Sequence, residues 1–267
     1  MSILMDSLNI IIIANEKGGV GKSLTALALI DRLSLNGHNP AVIQIDRQRR
    51  LANALGGNIL TIGSDAKASR IDPALELRRF SPLLEKIEIS AGNTPIIVDV
   101  GAGEVGRFAA WAALVDLEEE LNDWQLKCHL VIPFLAEAEA IRQAAWTAER
   151  LRAAIPRALL YFAENRRDGS VAQLHPSSAA AGAIMEHLEP WNSEAQQLAI
   201  PAIPSGSWRC FEAANCRLID IVDMSTVEVM RLTGLPRAEA KIVRGDVTQW
   251  LVTVFDEFDR TFCAEKI

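Results

Sequence analysis

An apolar run over residues 9–14 breaks off into Lys17-Gly18-Gly19-Val20-Gly21-Lys22-Ser23, and a stretch with helical spacing begins at once. Few folds tolerate that order. Glycines let backbone N–H groups converge on an anion without Cβ obstruction, and a helix start directly behind them adds partial positive charge. A strand, a phosphate-sized loop and a helix open a βαβ unit, and with it a parallel sheet. The rest of the chain keeps the same rhythm. β-Branched or apolar runs at 9–14, 41–45, 95–100, 127–133, 158–162 and 198–203 alternate with helical periodicity over 21–35, 73–88, 104–114, 137–154, 178–188 and 245–262. Such nearly continuous apolar strands are buried on both faces. The fold expected is therefore α/β: a doubly wound, mostly parallel sheet with helices on both faces. Asn36-Gly37 stops the first helix. Residues 56–72, with Gly, Ser, charge and little period, read as a surface loop.

Length and charge narrow the partners. A chain of 267 residues, 49% hydrophobic, buries roughly three quarters of its unfolded surface and needs no disulfide or structural metal. We expect one domain over 1–267, with the helix near 245–262 docked on the core. Lys+Arg of 27 against Asp+Glu of 34 gives a net charge of -7, so contact with nucleic acid or anionic lipid has to be a local patch. The apolar runs at 10–14 and 108–115 fall far short of the roughly 18 residues of a membrane span. Residues 1–8 lack the charged start and apolar stretch of a secretion signal, which points to the cytoplasm. Cys128, Cys210, Cys216 and Cys263 are sparse and form no C-x-x-C pair, as reduced thiols do.

In the loop, Lys22 is placed to reach β and γ phosphates, and the Ser23 hydroxyl to join the shell of a Mg²⁺ ion. The common pattern G-x-x-x-x-G-K-[ST] fails at its first position, which is Glu16, and a second lysine, Lys17, stands five residues ahead of Lys22. The form K-G-G-x-G-K-[ST] resembles the deviant Walker A motif of the ParA/MinD superfamily of P-loop ATPases. The resemblance implies an ATP-dependent dimer in which Lys17 acts across the interface on the partner's phosphates. It also assigns the nucleotide to Gly18, Gly19, Val20, Gly21, Lys22, Ser23 and Leu24.

Hydrolysis needs a metal and a positioned water, supplied from carboxylates where neighbouring strands end. Ile96-Ile97-Val98-Asp99-Val100-Gly101-Ala102-Gly103 looks like a Walker B strand running into a switch II turn. Asp99 there holds Mg²⁺ through water and Gly101 lets backbone approach the γ phosphate; standing alone, an Asp in that place is also a turn residue. Gln44-Ile45-Asp46-Arg47-Gln48 is similar to the family's switch I segment D-x-D-P-Q, in which the second Asp orients the attacking water. Asp46 is kept, while Gln44 replaces a carboxylate and Arg47 a proline, which bears on the hydrolysis rate rather than on binding. Ser23, Asp46 and Asp99 are thus the expected metal side, and Lys17, Lys22 and Asp46 the expected catalytic set.

The resemblance covers most of 9–215. Asn165, at the end of the run that starts near 158, is the candidate for the adenine edge, with an ordinary turn Asn as the alternative. Ile203 and Pro204 fall where the family places its adenine-side loop. Arg231, Arg237, Lys241 and Arg244 are candidates for nonspecific DNA contact, although Glu228, Glu239 and Asp246 are interleaved with them. The segment 250–260 has apolar residues at helical spacing but an acidic polar face, unlike a lipid-binding helix. The function implied is an ATP-hydrolysing, dimerising switch that positions a plasmid, chromosome or conjugation complex in a bacterium with an activating adaptor. The alternatives are an ATP-binding module with little turnover and an iron–sulfur carrier of the reductase type.

Overall fold

Ile10–Ala14 forms β1, with Ile10 to Ile13 wholly buried, Ile10 and Ile12 on one face and Ile11 and Ile13 on the other. Four consecutive isoleucines can be buried like this only in the middle of a sheet covered on both sides. The structure, a computed structural model, describes residues 9–46, 48–56, 59–63, 78–204 and 206–263. The strands are β1, β2 (Ala41–Ile45), β3 (Leu60–Thr61), β4 (Ile96–Val100), β5 (Cys128–Phe134), β6 (Leu159–Asn165) and β7 (Ala195–Ile200). They make one seven-stranded sheet, ordered β3-β2-β4-β1-β5-β6-β7, and every pair in it is parallel.

The helices are α1 (Lys22–Leu35), α2 (Arg50–Leu55), α3 (Ser81–Ser90), α4 (Val105–Leu114), α5 (Leu117–Asp123), α6 (Ala138–Ala154), α7 (Ala179–Ala183), α8 (Arg209–Ala213), α9 (Leu218–Asp223), α10 (Thr226–Thr233) and α11 (Arg237–Cys263). One face of the sheet buries Leu83, Phe108, Trp111, Ile141 and Leu151 from α3, α4 and α6. The other buries Leu29, Ile221, Val229, Trp250 and Phe258 from α1, α9, α10 and α11. The doubly wound expectation holds.

Several boundaries differ. The run 56–72 is not all loop, because Leu60 and Thr61 pair with Ile43 and Gln44 as β3; residues 57, 58 and 64–72 lie outside the described residues. The helix expected over 73–88 is α3, whose residues are Ser81–Ser90, and 73–77 also lie outside. β7 comes earlier than 198–203, since Ala195 already pairs with Leu160 and the chain leaves the sheet before Pro201. The helix expected over 178–188 is α7 followed by a π turn at Ile184–Leu188. α11 begins at Arg237 rather than at Gly245 and runs for 27 residues straight through that glycine. Among the described residues no helix is long and apolar enough to cross a membrane.

Candidate functional site

β1 lies between β4 and β5; the connection that leaves β1 runs to β2 on one side, and the one that leaves β4 crosses to β5 on the other. A crevice opens at such a point. The loop Glu16–Gly21 lies there, held by the side chains of Asn15, of α6 and of the end of β6. Asn15, fully buried, donates to Pro133 O at 2.8 Å and accepts from Lys17 N at 2.7 Å. Glu16 N donates to the Thr147 hydroxyl of α6 at 3.1 Å. Asn165, at the end of β6, donates through Nδ2 to Val20 O at 2.9 Å, and Arg167 Nη1 donates to Gly19 O at 2.9 Å.

Glycine is required at position 21. Its φ is +98°, and a Cβ there would lie 2.3 Å from Asn165 Nδ2. Gly21 also stands at the N-cap of α1 with no side chain bonded to the helix start and no acidic residue in the first turn. The free N–H groups of that turn therefore face the crevice uncompensated, as an anion site requires.

Lys22 folds back over the loop and donates from Nζ to Lys17 O at 2.8 Å. Burial holds its pKa below the usual lysine value, against the pull of Asp99, Asp46 and Glu16. The Ser23 hydroxyl donates to Asp99 Oδ2 at 2.8 Å. Asp99 is 1% exposed and burial pushes its carboxyl up to about 6, while its other oxygen, Oδ1, is buried without a partner. Asp99 is in register with Ile13 on one side and Gln44 on the other. Next along, Gly101 N donates to Ile45 O at 2.7 Å, and a Cβ at Gly101 would come within 2.9 Å of Asp46 Cγ. That close approach seats Asp46 against the turn that follows β4, with Oδ1 accepting from Gln48 N at 3.0 Å.

The sequence candidates thus divide. Gly18 to Ser23, Asp46, Asp99, Gly101 and Asn165 converge on the loop. Leu24 is partly buried against the core behind it. Ile203 and Pro204 follow β7, at the carboxyl end of the sheet. Asn165 does more than the sequence suggests, because one amide hydrogen and its carbonyl oxygen are already used, on Val20 O and by Arg167 N. Gln44 is fully buried and accepts from Ala52 N at 3.2 Å, which ties α2 to the sheet. Lys17 pairs with Glu137 of the same chain, Nζ to Oε1 3.5 Å. Arg244 does not join an exposed basic patch, since Nη1 donates to Met224 O; Arg231, Arg237 and Lys241 are exposed.

Sequence reasoning missed Arg167 and Glu137. The signal for the first is the polar run Asn165-Arg166-Arg167-Asp168 where β6 ends, and for the second an acid where β5 gives way to α6. Among the described residues no three His, Cys, Asp or Glu side chains gather as a metal cluster. The donor set at Ser23 and Asp99 nevertheless fits a small hard cation, because Mg²⁺ takes one or two protein oxygens and completes its shell with phosphate and water. The unpartnered Oδ1 of Asp99 is the available ligand.

A search of curated protein sequences finds no match. Among solved structures, the MinD cell division protein of Aquifex aeolicus is similar at 19% identity and a TM-score of 0.48, covering 91% of this chain and 97% of that one. The ATP complex of a Cyanothece McdA variant is similar at 15% identity and a TM-score of 0.44, covering 92% and 97%. The family model for the CobQ/CobB/MinD/ParA nucleotide binding domain matches residues 11–228, and the chain belongs to that family.

Proposed function

We propose that the protein is a nucleotide-switched ATPase, built as one domain, which joins two subunits in the ATP state and releases them on hydrolysis. The contact between Ser23 and Asp99 carries this reading: at 2.8 Å it brings the first turn of α1 and the end of β4 together behind a loop shaped for phosphate. In it, the loop amides and Lys22 hold the β and γ phosphates, Asp46 orients the attacking water, and Gly101 offers its backbone to the γ phosphate. Ser23 and Asp99 would hold Mg²⁺, with Asp46 alongside. The ion supplies charge neutralisation on the phosphate oxygens. The remaining amide hydrogen of Asn165, with Leu24, Ile203 and Pro204, is assigned to the base side.

Lys17 acts in trans, and its ion pair with Glu137 has to open first. That pair is half exposed and so weak that a phosphate replaces it readily. Gln44 favours slow, partner-stimulated turnover: a buried amide committed to Ala52 brings no charge to the reaction centre. The cargo positioned by such a switch is a plasmid, chromosome or conjugation complex, reached through an adaptor, with DNA contact left to Arg231, Arg237 and Lys241.

Calorimetry with ATP and Mg²⁺, paired with light scattering of protein holding a non-hydrolysable ATP analogue, tests both parts. Wild type should release heat and shift to the dimer mass; Lys17→Ala should bind and stay monomeric. No heat overturns the whole reading. Heat with a wild-type monomer removes the dimer switch and leaves nucleotide binding standing.

A further inference from the structure

Among the described residues nothing covers the outer face of α11, which has the composition of a helix-pairing seam. α11 packs inward through Ala240, Val247, Trp250, Leu251, Val254 and Phe258. On the opposite side run Ala238, Ile242, Gly245, Gln249 and Val252, spaced four, three, four and three. That is the spacing of a coiled-coil contact line. Ile242 is 60% exposed and Val252 52%. Glycine in the middle of an exposed helix weakens it, and nothing among the described residues asks for one at 245: a Cβ there would meet no atom within 4 Å. A notch on an outward face is what a second helix needs to come close.

Charge identifies the second helix. Lys241 and Asp256 lie on this same face, near opposite ends of the seam, and among the described residues neither has an ion-pair partner. In an antiparallel pair of α11 helices, seating Val252 of one copy over Gly245 of the other also sets Lys241 opposite Asp256. Both pairs are centred on the same point, between Thr248 and Gln249. A twofold axis there makes every contact twice and brings the two Gln249 amides together, where each can donate to the other. Parallel pairing would instead stack Lys241 on Lys241 and Asp256 on Asp256.

We propose that α11 is a self-association surface on which a second copy of this chain docks antiparallel, with Val252 in the Gly245 notch and Lys241 paired to Asp256. This does not rest on the nucleotide reading, since no residue of the phosphate site takes part.

The test uses full-length protein carrying Lys17→Ala, without nucleotide, so that a phosphate-loop dimer does not contribute. Sedimentation equilibrium should show reversible dimerisation. Gly245→Gln should weaken it by about tenfold or more while the melting temperature holds or rises, because a side chain fills the notch but favours the helix. Lys241→Asp should weaken it too, and Lys241→Asp with Asp256→Lys should restore it to within about threefold. Gln249→Cys should oxidise to a disulfide-linked dimer, and a control cysteine at Glu149 on α6 should not. A monomer at every accessible concentration overturns the proposal, as does a double charge reversal no tighter than the single one.

Discussion

Asp99 sits inside the carboxyl end of the sheet, where burial opposes its charge more than the Ser23 hydroxyl and Lys22 support it. Its pKa of about 6 stands above the ordinary carboxylate value of 3.8, so the folded chain takes up a proton more readily than the unfolded one. Stability from this group therefore grows as pH falls from about 6 toward 4, and at pH 7 the ionised group costs on the order of 3 kcal/mol. A neutral side chain of the same shape removes that cost together with the proposed metal ligand. Asp99→Asn should raise the stability of the ligand-free protein at pH 7 by about 1–3 kcal/mol and abolish Mg²⁺-dependent nucleotide binding. Thermal unfolding with calorimetry reads both, and a lower melting temperature would mean that the charge is already compensated. Residues of this kind were legible in the sequence because loop, strand end and turn are each contiguous, so seven adjacent letters carry the chemistry. Arg167 and Glu137 were not: they reach the loop from the ends of β6 and β5, and only the sheet order brings them there.

Between elements, the tie from α1 to α9 shows what a sequence pattern conceals. Asp31 lies in the apolar stripe of α1 and is fully buried. Arg217 Nε donates to Asp31 Oδ1, Ile219 N donates to Oδ2 at 2.9 Å, and Arg217 Nη2 donates to Ser34 Oγ at 2.8 Å. The carboxylate thus fixes the start of α9 and neutralises a guanidinium beside the core. Asp31→Ala leaves that cation and the Ile219 amide unmatched and should cost about 3 kcal/mol, read as a lower urea midpoint at unchanged slope. Combining it with Arg217→Met should recover part of the loss, and no recovery would count against charge pairing as the cause. Long elements with strong periods were readable: β1, α1, β4 and α6 fall within a residue or two of expectation. Short ones were not, because α2, α5, α8 and α9 span too few turns to display a period and β3 is two residues long. Gly245 was misleading in its own way: glycine usually marks a helix end, and α11 absorbs it because strong packing flanks it on both sides.

For the molecule as a whole, α11 closes the second face of the sheet, and it is pinned at several points. Arg32 of α1 holds Asp259 at 3.0 and 2.5 Å, Trp250 Nε1 donates to Pro201 O at 2.7 Å, and Glu257 accepts from Ala199 N at 2.8 Å. Beneath its last turns lies a polar ring in an apolar setting. His129 of β5 is 1% exposed, stacks on Tyr161 with ring centres 5.7 Å apart and meets the edge of Phe262 at 6.0 Å. Its Nδ1 lies 3.1 Å from the Tyr161 hydroxyl, and Nε2 is buried without a partner. Burial, with Lys127 nearby, pushes the imidazole down to about 4 from 6.5, so the ring is neutral in the fold. The unfolded chain then binds the extra proton between those values. The contribution is intact above about pH 6.5 and is lost as pH falls toward 4, opposite in direction to that of Asp99 over the lower part of the range. The two are separated by removing one. His129→Phe keeps a flat ring against Tyr161 and Phe262 and no longer titrates, so between pH 7 and pH 5 wild type should lose about 2 kcal/mol more than the variant. Urea denaturation of both proteins at the two pH values measures the difference. Parallel losses would mean that His129 accepts its proton without disturbing the packing of α11 on the sheet.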